Sequence, residues 1–248
     1  MALRKKLSCL WILGLCLVTS RCSPQVPSIS DQSFIDECVQ THNDLRSKVS
    51  PTASDMRYMT WDEALAKTAK AWTKSCKFKN NPCSSKPNLC HPNFHYVGEN
   101  IWIGEIGTFK ASIPIISWYN ESTFYNFNKN SCSRECSHYK QVVWAKSYKV
   151  GCAVTICPTL GGANTGLFAC DYAPPGNYPK ALPYKSGVSC SVCTGENCTQ
   201  NLCRNPEREV LKDYPYWNPK GKTSPQIACN QFCLIFVLLR IFFIVLII

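Results

Sequence analysis

The spacing of apolar residues divides the chain into a few elements. Phe34, Ile35, Cys38, Val39, His42, Leu45 and Val49 recur at three- and four-residue intervals. That spacing predicts a helix with one face toward a core, opened by Ser30 or Asp31 and stopped by Pro51. Ala64, Leu65, Thr68, Ala69, Trp72 and Cys76 repeat the pattern, and Thr60-Trp61-Asp62-Glu63 ahead of them reads as a capping box. A third helix is predicted with Ser112 at its cap and Pro114 in its first turn, running through Trp118 to Phe124, and a short fourth over 139–145. Residues 98–103, 149–157 and 166–172 alternate or are continuously apolar and read as strands. Residues 77–95 are rich in Asn, Pro, Ser and Cys and read as a long loop. Helices interleaved with a few strands imply a layered domain whose sheet is covered by helices.

Two apolar runs lie outside this pattern. Residues 7–18 follow the basic Arg4, Lys5 and Lys6 and precede small residues at Ser20 and Cys22, so residues 1–22 read as a secretory leader. The run is too short to span a bilayer comfortably, and the polar Thr19, Ser20 and Arg21 follow it at once. Residues 232–248 are apolar apart from Arg240 and Gln231 sits just before them, with a polar stretch at 218–224 upstream. Polar spacer followed by apolar tail is the order of a glycosylphosphatidylinositol (GPI) anchor signal. A single spanning helix is the alternative; the run is short of the roughly 20 residues such a helix needs and no basic segment follows it.

Cysteine usage supports export. The chain has 18 cysteines, of which Cys9, Cys16 and Cys22 leave with the leader, and the rest meet a compartment where disulfides persist. The formal charge is +11; Arg4, Lys5, Lys6 and Arg21 belong to the leader and Arg240 to the tail, which leaves +6 between them. A mildly basic exported chain argues against nucleic acid as a partner and allows only weak, unspecific attraction to acidic glycans. The chain then divides into a leader (1–22), one domain (30–180), a cysteine-rich unit (186–204), a flexible stalk (205–230) and the C-terminal apolar segment (231–248). Cys190, Cys193, Cys198 and Cys203 crowd into a unit too small to bury a core, so disulfides hold it; a zinc ribbon is the weaker alternative.

Five stretches occur in an order that resembles the CAP superfamily of cysteine-rich secretory, antigen 5 and pathogenesis-related 1 proteins. They are His42-Asn43-Asp44-Leu45-Arg46, Gly98-Glu99-Asn100-Ile101, Trp118-Tyr119-Asn120-Glu121, His138-Tyr139-Lys140-Gln141-Val142-Val143-Trp144 and Gly176-Asn177-Tyr178. Tyr58-Met59-Thr60-Trp61-Asp62 and Ser147-Tyr148-Lys149-Val150-Gly151-Cys152 are similar to the glioma pathogenesis-related branch. The resemblance implies an α+β fold, a three-layer α-β-α sandwich with a small disulfide-rich hinge. It also implies bridges Cys76–Cys157, Cys152–Cys170, Cys190–Cys198 and Cys193–Cys203. Cys83 with Cys90, and Cys132 with Cys136, can staple local loops, which leaves Cys38 as a buried free thiol on the first helix.

The family's cleft holds two histidines and two glutamates, a set suited to zinc and an activated water. Carried over by motif, Glu99, Glu121 and His138 are present, and Asn80 stands where the second histidine belongs. An amide oxygen is a poor zinc ligand, so no metal or other cofactor is expected, and His138, Glu99 and Glu121 would be what remains of a site. His91 and His95 are possible substitutes, and His42 reads as a buried, hydrogen-bonded helix residue. Lys140 would add positive charge beside any cation, Ser137 replaces the usual glycine, and Asp171 stands where an amide is common. Asn120-Glu121-Ser122 and Asn197-Cys198-Thr199 are sequons, which make Asn120 and Asn197 candidate glycan sites.

No Ser/His/Asp or Cys/His arrangement and no G-x-S-x-G is visible, so the chain reads as no enzyme. The expectation is a GPI-anchored binding or adhesion module on the outer face of the plasma membrane, with shedding or secretion as a further route. The resemblance implies a sperm-surface role in gamete interaction, with a protein or glycan on the partner cell as its ligand. Sterol or lipid binding is the alternative the superfamily implies, and a cleft hydrolase using Glu99, Glu121 and His138 is the third.

Overall fold

The computed structural model describes residues 25–219. The leader at 1–22, the C-terminal segment at 231–248 and the second half of the expected stalk lie outside the described residues. No helix among the described residues is long and apolar enough to cross a membrane.

The sheet has four strands in the order β1 (Thr60–Trp61), β5 (Lys149–Ile156), β6 (Thr165–Ala173), β2 (Gly98–Glu105), and β3 (Tyr125–Asn126) and β4 (Ser131–Cys132) form a separate hairpin. β1 runs parallel to β5, while β5–β6 and β6–β2 are antiparallel. Side chains alternate across the sheet, and the two faces carry different sizes of residue. Val150, Cys152, Phe168, Cys170 and Tyr172 join the large core with Phe34, Ile115, Trp118 and Tyr139. These come from α1 (Gln32–Arg46), α3 (Ser112–Asn120) and α4 (Ser137–Val142), which form one outer layer. The other face presents Gly151, Ala153 and Ala169 to α2 (Glu63–Thr73), whose own inner residues include Ala66 and Ala69. The result is a three-layer α-β-α sandwich, with a bulky aromatic interface on one side and a close, small-residue one on the other.

The first helix ends at Arg46, three residues short of Val49, where Ser47 N–H closes back on Asn43 O. The pattern ahead of α2 is not a capping box. Thr60 lies in β1, pairs with Lys149, and its hydroxyl accepts from Lys149 Nζ at 2.9 Å. Asp62 is the cap, its Oδ1 accepting from Leu65 N–H at 3.0 Å. Nor does Ser112 cap α3. The N-cap is Ala111, and the carboxylate of Glu37 on α1 accepts from Ala111 N–H, Ser112 N–H and the Ser112 hydroxyl. An acid across the layer therefore satisfies the orphan amides that a local cap usually takes. Beyond Asn120 the third helix tightens into a 3-10 turn, Glu121–Phe124. The fourth is Ser137–Val142, earlier than the expected 139–145, because buried Arg46 takes the carbonyls of Val142 and Trp144 at 2.9 and 2.8 Å.

Six disulfides are closed: Cys76–Cys157, Cys83–Cys90, Cys132–Cys136, Cys152–Cys170, Cys190–Cys198 and Cys193–Cys203. Cys38 is buried and free among the described residues. The cysteine-rich unit, with its β7 (Asn197–Thr199) and β8 (Leu202–Arg204) hairpin, is docked by backbone hydrogen bonds from Cys203 N–H to Met56 O and from Tyr58 N–H to Cys203 O. Leu202 enters the main core.

The described part of the expected flexible stalk is not free. After a short helix, Pro206–Glu209, the chain folds back along the domain. Val210 O accepts from Lys149 Nζ, Tyr214 bonds through its amide to Glu63 and through its hydroxyl to Asp62, and Trp217 Nε1 donates to Thr68 Oγ1. Polar contacts with fixed partners replace the solvated coil that its composition suggested.

A Cβ built on Gly151 would meet Ala66 N at 2.2 Å and Asp62 O at 2.6 Å, both backbone atoms of the α2 entry. Neither can move without shifting the helix off the sheet. Gly151→Ala is therefore expected to lower unfolding free energy by roughly 2–3 kcal/mol, measured by denaturant titration.

Candidate functional site

The residues singled out from the sequence fall into two groups. His138 lies in the first turn of α4 and is partly exposed, its ring stacked on Trp118 with centroids 6.2 Å apart. Its Nδ1 lies 2.7 Å from Glu121 Oε1, and Glu121 Oε2 accepts from Tyr139 N–H at 3.1 Å. Glu121 thus orients the imidazole and caps the helix that carries it. Glu135, which the sequence reading passed over, completes a cluster in which one donor atom each of Glu121, Glu135 and His138 lie within 4.8 Å of one another. Its position three residues before His138 was the available signal.

Glu99 belongs to the second group. Its Oε1 accepts from Asn80 Nδ2 at 3.1 Å and from Asn81 N–H at 2.7 Å. On the sheet it stands directly opposite Asp171, which is fully buried on β6. Glu99 Oε2 and both oxygens of Asp171 receive no N–H or O–H from the rest of the chain. A proton retained by either carboxyl would supply the donor they lack. Burial raises the Glu99 carboxyl to about 7, against the hydrogen bonds from Asn81 and Asn80 that favour the charged form. Burial, then the charge of Glu99, raises Asp171 well above the usual carboxylate range. Asp171 is therefore the cross-strand partner of Glu99.

The other histidines are elsewhere. His91 is buried; its Nδ1 accepts from Asn93 and Phe94 N–H, so the Nε2 proton points at Asp62 Oδ1, 3.1 Å away. His95 Nδ1 lies 2.9 Å from Asn88 Oδ1. Neither replaces the histidine that Asn80 displaces. His42 is buried between Cys38 O, 2.7 Å from Nδ1, and Tyr172 OH, 2.9 Å from Nε2, and burial lowers its pKa to about 4. Asn100 Nδ2 continues this buried chain to Tyr172 OH at 3.5 Å and to His138 O at 3.0 Å. The helical turn carries Lys140 about 200° from His138, so its charge does not face the imidazole as the sequence suggested. Lys140 is buried, which lowers its pKa. Asn120 is exposed at the end of α3, next to Glu121, and Asn197 is exposed on β7.

The four-ligand zinc set does not fit these residues. Asn80 points its amide N–H at Glu99, and Glu99 is drawn into the Asn80, Asn81 and Asp171 network. What converges at His138 is one imidazole and two carboxylates, and Glu135 Oε1 already accepts from Ser137 N–H. That supply of donors falls short of two imidazoles plus two carboxylates.

Comparison with known proteins bears on the family and the fold. Residues 39–172 match the CAP: Cysteine-rich secretory protein family. The chain is similar to GLIPR1-like protein 1 of Bos taurus, 57% identical over 98% of this chain and 100% of that one, and to its Homo sapiens counterpart, 53% identical over the same shares. Glioma pathogenesis-related protein 1 of Mus musculus is 49% identical over 84% of this chain and 80% of that one. Among solved structures, NaASP2 with Zn2+ matches 70% of this chain and 96% of its own at 26% identity, with a TM-score of 0.57.

Two outcomes follow. Because the folded carboxyl pair holds protons that free carboxylates release near 4.5, its contribution to stability is full below about pH 4.5 and is lost as pH rises toward 7. Thermal melts from pH 4.5 to 8 should therefore show a smaller decline with pH in Asp171→Asn, whose amide can donate to Glu99, than in the parent; equal declines would contradict the retained proton. Calorimetric titration with zinc should show no tight one-to-one binding, and a tight site abolished by His138→Ala would overturn the misfit.

Proposed function

The chain belongs to the cysteine-rich secretory protein (CAP) family, and from that footing we propose that it works as a non-enzymatic binding module at the cell surface. The observation that carries this reading is the engagement of every acid–base group in the cleft. Glu99 is held by Asn80, Asn81 and Asp171, and His138 is held by Glu121. Among the described residues no hydroxyl or thiol lies in hydrogen-bonding contact with the His138 ring, so no side-chain nucleophile is paired with it. Glu99 and Asp171 face each other across β2 and β6. Six disulfides suit an exported, exposed module.

The finer form of the proposal is a GPI-anchored protein of the outer plasma membrane that takes part in sperm–egg interaction, its ligand being a protein or glycan on the partner cell. It draws on the polar-then-apolar order of residues 218–248 and on the resemblance to the GLIPR1-like protein 1 type. Glycans at Asn120 and Asn197 would bound the surface available to that ligand.

One experiment addresses both levels. Cells displaying the full chain are treated with phosphatidylinositol-specific phospholipase C, and the released protein is assayed for gamete binding with and without Glu99→Ala/His138→Ala. Release, with binding retained in the double variant, is expected. Retention on cells under active enzyme would replace the lipid anchor with a spanning helix, and binding lost with a hydrolytic activity in the parent would replace the module with an enzyme.

A further inference from the structure

From residue 64 to residue 98 the chain has six lysines, Lys67, Lys70, Lys74, Lys77, Lys79 and Lys86, and no Asp or Glu. Lys67 and Lys70 lie on α2 and Lys74 caps its end, the three within an arc of about 60° at 100° per residue. The rest continue into the loop that follows, where Lys77, Lys79 and Lys86 are exposed. Glu63, just before the run, is already engaged by Lys67 at 3.0 Å. A lysine-rich surface of this kind is ordinarily a solvated one, and charge alone would say no more.

Two further observations distinguish this face. Phe78, between Lys77 and Lys79, is 53% exposed, and Leu89 across the loop is 54% exposed, so among the described residues apolar side chains stand exposed beside the cations. The backward-folding segment also ends here. Pro219 shares a hollow of about 350 Å³ with Trp72, Lys77, Lys79 and Leu89. Two more lysines, Lys220 and Lys222, follow in sequence, and the apolar run begins at about residue 232. Cations flanking exposed aromatic and aliphatic groups are the composition of a surface that lies on a bilayer: the ammonium groups meet acidic headgroups while the apolar groups enter the interface.

We propose that the face formed by the C-terminal half of α2 and the loop through Leu89 is a docking surface for a lipid membrane bearing acidic headgroups. The segment that folds back to Pro219 brings the chain out beside this face. The affinity of the lysine face for acidic lipid is independent of the anchored form of the function proposed above. A linear polyanion such as a sulfated glycan would use the lysines equally, but it would gain little from Phe78 and Leu89, and the exit of the chain at the same hollow favours the membrane.

The test adds the full chain to phosphatidylcholine vesicles with and without about 30 mol% phosphatidylserine and measures co-sedimentation and the acetylation rate of each lysine. Retention on neutral vesicles reports the C-terminal segment and so bears on anchoring alone. The increment on acidic vesicles reports the face. That increment should be at least about tenfold, vanish in high salt and be lost in Lys74→Glu/Lys77→Glu/Lys79→Glu. Phe78→Ser should weaken it while leaving its salt dependence intact. In the parent, Lys74, Lys77 and Lys79 should be protected from acetylation on acidic vesicles relative to Lys129 and Lys146, a readout that needs no variant to fold. The proposal is overturned if the triple variant keeps the increment, or if heparin protects these lysines and acidic vesicles do not.

Discussion

Arg46 is the residue on which the arrangement of this domain depends. It is wholly buried on the last turn of α1, and its guanidinium donates to five backbone carbonyls: Arg57, Val142, Trp144, Ala145 and Ser147. Burying a charge is costly unless its donors are satisfied, and here carbonyl dipoles stand in for water. Burial lowers its pKa, yet the planar fork suits several carbonyls at once in a way an ammonium does not. The carbonyls it gathers belong to the last residue of α4, to the turn after it and to the loop before β1. Neighbours on the same helix do similar work. Asn43 exchanges two hydrogen bonds with Met59, and His42 reaches Tyr172. One polar helical turn thus holds three parts of the chain far apart in sequence.

The cleft inherits its division from the sheet. Side-chain alternation on β2 sends Glu99 toward the α2 side, where it meets the loop after that helix, and Asn100 toward the aromatic layer, where it bonds His138 O. The carboxyl pair and the imidazole–carboxylate pair are therefore supported by opposite layers. Register matters as much as identity: Glu99 faces Asp171 because β2 and β6 pair residue for residue from Gly98 to Glu105. Gly98 keeps its place because a Cβ there would strike Gln141 Oε1, the atom that accepts from Gly176 N–H.

What was legible in the sequence was what local pattern encodes. The stripes of α1 and α2, the three long strands and the order of the motifs all report burial, which repeats along the chain. Thr60 was misread because its fate is set by Lys149, 89 residues away. Ser112 was misread because Glu37 performs its task from another helix. Asp171 looked like a departure from a pattern, since nothing local announces that its neighbour across the sheet is an acid. The segment at 205–219 carries no periodicity, and its Tyr214 and Trp217 find fixed partners only once α2 has formed. Of the site itself, Glu121 and His138 could be placed together by motif and Glu135 by its closeness in sequence to His138, whereas the separation of Glu99 depends on a partner loop, Asn80 and Asn81, that no local pattern announces.

Cys38 has a bearing on how the domain is made. Thirteen cysteines lie among the described residues and twelve are paired, which leaves one odd thiol there. Exchange requires a thiolate that can reach a disulfide. In the finished structure burial, and then the charge of Glu37, raise the thiol well above its ordinary pKa, and no solvent reaches it. Both protections arrive only when α1 seats against the sheet. Seating that helix is therefore what withdraws the thiol from exchange with the bridges around it.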